Sequence, residues 1–149
     1  MLPIVVALHV LAVVVWVGGM SFTLFVLRQG LAPLAPADRL GVLARVFARF
    51  LPAVGIAILV IAATGAWLLA QYGGGVGSAP WGVHVMLALG VVMMLVYLVI
   101  LLRDNPRFQA AVRAQDWPAA GPTAERMRKL VLVNLVLGIL VIVAGIAGR

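Results

Sequence analysis

Two imidazoles stand in a chain that is otherwise close to hydrocarbon. His9 and His84 are the only histidines among 149 residues, and each lies in an uncharged apolar stretch. A neutral imidazole is a nitrogen donor to iron or copper. Six methionines add soft thioether donors. Cysteine is absent, which excludes disulfides, thiolate metal sites, iron–sulfur clusters and thiol catalysis. The apolar runs hold no carboxylate and the chain has no Ser/His/Asp set, so hydrolytic chemistry has no footing. What remains is metal or haem ligation by the two histidines, provided that the elements carrying them bring them together.

Those elements are set by composition. The chain is 65% hydrophobic and 10% charged, with mean hydropathy +1.21. A soluble domain of this size could not hide so much apolar surface, so its solvent is lipid. About 20 apolar residues cross a bilayer as a helix. Four runs have that length: 2–27, 50–71, 83–102 and 130–147. They are continuous rather than alternating, which predicts helices and not the strands of a barrel. The expected fold is all-α, a single transmembrane domain over 1–149 forming a four-helix bundle. The first run lacks a basic leader and is too long for a signal peptide, so it reads as a retained anchor.

The net charge of +7 belongs to the loops. Arg28, Arg39, Arg45 and Arg49 crowd one segment, and Arg103, Arg107, Arg113, Arg126, Arg128 and Lys129 another, while Tyr72–Gly82 carries no charge. This asymmetry predicts basic loops in the cytoplasm and an N-out, C-out orientation in the plasma (inner) membrane, with lipid and not nucleic acid as the partner. Asp38 is the expected N-cap of an amphipathic stretch leading into span two, with Arg45 and Arg49 stacked at i, i+4. A short surface helix after Asn105, a Pro/Gly break and a Thr123 cap should precede span four.

With spans one and three running the same way, His9 lies about 9 Å below Pro3 and His84 about 6 Å below Pro80, at 1.5 Å per residue. Both imidazoles are thus expected in the outer half of the membrane. Trp16 and Met20 share the His9 face, and Val91 and Leu95 the His84 face. Ionisable groups in lipid usually face the bundle interior. Two histidines on facing helices are one way to hold haem b from both sides. His9 and His84 would ligate the iron, with Trp16, Leu87 and Val91 lining the slot. Trp81, Gln71, Tyr72, Ser78 and Arg149 are the groups available for propionates. The expected function is a small b-type cytochrome that moves single electrons, with a quinone or another small redox partner and a homodimer left open. The alternative is copper, bound or transported through imidazole and thioether donors. A third reading has no cofactor and histidines that only pack. Asn134 is expected to bond across helices and Thr64 to bond its own helix.

His9 followed by Trp16–Met20 ("WVGGM"), the Arg45–Pro52 pattern entering span two and the Thr64–Gly65 pair within it resemble small membrane proteins of the copper-resistance CopD type. Trp81 and His84 before span three also resemble HemJ-type protoporphyrinogen oxidases. The first resemblance implies copper handling. The second implies haem b held by a first-span histidine and a third-span lysine. Met86 stands near where that lysine is expected, and no lysine lies in any span, which argues against porphyrinogen oxidation and leaves haem ligation open through His84.

Overall fold

The computed structural model of the chain describes residues 1–71, 73 and 75–148. Four helices are long and apolar enough to cross a bilayer: Leu2–Gly30 (α1), Pro36–Leu69 (α2), Trp81–Arg113 (α3) and Trp117–Ala147 (α4). No strand occurs among the described residues. The fold is all-α, as lipid requires of a segment that must satisfy its own backbone hydrogen bonds.

Each helix outruns its apolar stretch, because the basic segments are themselves helical. α2 starts at Pro36, whose missing N–H costs nothing in a first turn. Ala35 is its cap and Asp38 sits inside the first turn, near the positive end of the helix dipole, rather than capping it. The expected separate surface helix is instead a continuation of α3. It follows the membrane run through a π-helical turn at Ile100–Asp104. A second π turn, Phe22–Leu27, lies at the same stage of α1. The break before α4 also falls earlier than expected. Gln115 turns the chain with φ 56°, and the Asp116 side chain caps α4 by accepting the Ala119 N–H at 3.1 Å. Thr123 lies within α4 and bonds the Ala119 carbonyl at 2.9 Å. Trp117 and Pro118 open the helix, so Pro118 does not break it.

α1 packs along α2 and α3 along α4. α4 also touches α1 and α2, whereas α1 and α3 meet at most marginally. The core gathers Trp16 and Met20 of α1, Phe47, Leu51 and Val54 of α2, Met93, Tyr97 and Phe108 of α3, and Met127, Val131 and Leu135 of α4. It is densest toward the basic end. There Phe108 and Met127 are fully buried, and the Phe47 and Phe108 rings meet edge to face, centroids 6.3 Å apart. Gln109 donates to the Ala44 carbonyl at 2.8 Å. Asp104, buried in the π turn, accepts from Arg126 Nε at 3.1 Å. Two further bonds join helices deeper in the bundle. The Tyr97 hydroxyl donates to the Leu51 carbonyl at 2.9 Å, and Asn134 Nδ2 donates to the Met93 carbonyl at 3.1 Å. The latter is the cross-helix bond expected of Asn134, whose Oδ1 is buried without a partner.

Candidate functional site

His9 faces α2. Its Nδ1 lies 2.8 Å from Thr64 Oγ1, and the ring packs over Gly65, where a Cβ would stand in ordinary van der Waals contact with His9 Cε1 at 3.4 Å. The partners fix the tautomer. Thr64 has one hydroxyl proton, and it goes to the Val60 carbonyl of its own helix at 2.6 Å, the intrahelical bond expected of this residue. The Thr64 oxygen therefore accepts, and His9 Nδ1 carries the imidazole proton. Nε2 keeps its lone pair. This arrangement, one ring nitrogen tied to an oxygen and the other open, is how histidine is presented to a metal.

His84 is not its partner. It is exposed on the bundle surface, with Nδ1 3.2 Å from the Pro80 carbonyl one turn earlier. Val91 and Trp81 are 56% and 60% exposed. Of the described residues expected to enclose a ligand, the bundle buries only Trp16, which belongs to the core around Met20 and Met93. Ser78 bonds the Gly75 carbonyl at 3.0 Å, and Gln71 the Trp67 carbonyl at 3.2 Å. Tyr72 and Arg149 lie outside the described residues.

The face of α3 accounts for the difference. Met86 packs over Gly145, and the Met93 methyl lies 3.2 Å from where a Gly138 Cβ would stand. Two methionines one heptad apart thus fill two gaps one heptad apart on α4, and Tyr97 continues the same inward side. Flexible thioethers suit such irregular gaps. The face carrying His84, Val91 and Leu95 consequently turns outward, opposite to the sequence expectation. The matching spacing of Met86 and Met93 with Gly138 and Gly145 was the signal available in the sequence.

Among the described residues no group of three or more histidines, aspartates or glutamates is placed to hold a metal. The donors inside the bundle are His9 and the buried thioethers of Met20, Met93 and Met127.

The family model of copper resistance protein D, CopD, matches residues 44–147. The chain belongs to the CopD family. The match takes in most of α2 and all of α3 and α4, so Thr64 and Gly65 lie in the family segment while His9 precedes it. No curated protein and no solved structure matches the chain. The resemblance to HemJ-type oxidases has no counterpart in these comparisons. This CopD-family chain is therefore a multi-pass membrane protein with a copper-related family assignment, and the arrangement of its histidines gives a two-sided haem clamp no support.

Proposed function

We propose that this chain handles copper within the membrane, taking Cu(I) at His9 near the uncharged end of the bundle. The observation that carries the reading is the His9–Thr64 contact, which holds one ring nitrogen and leaves the other available, in a chain of the CopD family. A single imidazole binds weakly enough to release its ion, as a transit site must. Thioethers prefer Cu(I) to harder cations. Met20 lies on the His9 face of α1, about 16 Å further along the helix by its rise. Met93 and Met127 are buried on α3 and α4. Together they form a sparse series of soft donors leading toward the basic end. With the basic segments in the cytoplasm, that series runs from outside to inside.

The test is Cu(I) uptake into proteoliposomes carrying an enclosed copper indicator. Uptake is expected to disappear with His9→Ala, to slow with Met93→Leu, and to fall about tenfold with Thr64→Val, the usual scale for loss of a ligand-orienting hydrogen bond. His84→Ala is expected to leave it unchanged. Full uptake by His9→Ala overturns the proposal. So does stoichiometric low-spin haem on the purified protein that is lost in both His9→Ala and His84→Ala, which would restore the cytochrome reading.

A further inference from the structure

Arg45 and Arg49 stand one turn apart on α2, directly before the apolar run that begins at Phe50. Together with Val42, Val46 and Ala48 they line an open groove of about 360 Å³ on the surface of this one helix. Both arginines are exposed, and among the described residues neither has an ion-pair partner. The chain's four acidic residues leave little to neutralise them. Asp104 holds Arg126 and Glu125 holds Arg128, while Asp116 caps α4. Asp38 stands seven residues before Arg45, about 10 Å of helix rise away. Among the described residues no acidic side chain neutralises the pair, which leaves both guanidinium groups free for an external anion.

We propose that this groove is a binding site for the headgroup of an anionic phospholipid. Two guanidinium forks one turn apart match the oxygens of a phosphate diester. The valine and alanine walls suit the glycerol and the first methylenes of the acyl chains. Placement at the edge of the apolar run puts the site at headgroup depth, where a soluble phosphate would meet the same charges without the apolar contact. This site is separate from His9 and does not depend on the copper reading.

The experiment is native mass spectrometry of the detergent-purified protein titrated with phosphatidylglycerol or phosphatidylcholine. Wild type is expected to retain phosphatidylglycerol preferentially. Arg45→Gln and Arg49→Gln should each weaken that binding about fivefold, the worth of one basic residue near an anionic surface, and phosphatidylcholine binding should not change. Arg45→Lys, which keeps the charge but loses the fork, should fall between. Arg113→Gln serves as a control and should bind as wild type. Equal phosphatidylglycerol binding by wild type and the Arg45→Gln/Arg49→Gln double variant overturns the site. If millimolar inorganic phosphate displaces phosphatidylglycerol completely from wild type, the lipid assignment is overturned in favour of a soluble anion.

Discussion

At the basic end, Asp104, Phe108 and Met127 keep 1% or less of their surface, whereas at the uncharged end Leu2, Ile4, Val6 and Leu8 of α1 each keep more than 40%. The first region is locked by side chains that reach between helices: an aromatic pair, the buried Asp104 carboxylate paired with a half-exposed Arg126, and Gln109 on a backbone carbonyl. The second is held by small residues. Gly82 N–H bonds the Gly148 carbonyl at 3.3 Å, and the backbones of α3 and α4 there lie too close for any Cβ at Gly82. A cation at the uncharged end would meet one tethered imidazole and few other polar side chains. At the other it would meet arginines. The contrast fits a bundle anchored at one end and open to exchange at the other.

The contrast can be broken from either side. The largest effect is expected for Phe108→Ala, which empties a fully enclosed site and should cost about 3 kcal/mol or more of unfolding free energy. Unfolding by steric trapping in bicelles measures this, and unchanged stability would mean that the basic end is not the anchor. Gly82→Leu should cost about 2 kcal/mol through overpacking while leaving the basic end intact. The check is amide hydrogen exchange, in which protection around Asp104 and Phe108 should match wild type in this variant. Asn134→Leu removes an orphaned buried acceptor along with one cross-helix bond, so stability should stay within about 1 kcal/mol of wild type or rise. Thr64→Val should be the mildest, about 0.6 kcal/mol. Its signature is instead a shift of the ¹⁵N-imidazole NMR resonances of His9 away from the Nδ1–H tautomer. An unchanged spectrum would show that Thr64 does not set the tautomer.

The spans were legible because run length and continuous apolarity report directly on the bilayer. Helix continuity through the basic segments was less so. Pro118 and Pro122 looked like punctuation, yet Pro118 falls in a first turn where no N–H is needed. The inward face of α3 was the main misreading, and its cause is physical. A helix apolar all round gives no polar side to mark the outside, and in lipid the inner and outer faces are chemically alike. His84 then looked like the pointer to the interior, although a histidine in a first turn can satisfy one ring nitrogen on a carbonyl such as that of Pro80. His9 lies two turns into α1 with a threonine opposite, and its reading as an inward-facing group matches the contact with Thr64.

The Gly82–Gly148 contact also bears on how the chain is built. The first N–H groups of α3 have no partner within their own helix, and one of them is met by a carbonyl that is synthesised only after the whole of α4. Until then the start of α3 must stay at the wet surface or be shielded by the insertion machinery. The two helices are thus expected to settle as one hairpin, with the uncharged end zipping shut after the basic end has formed.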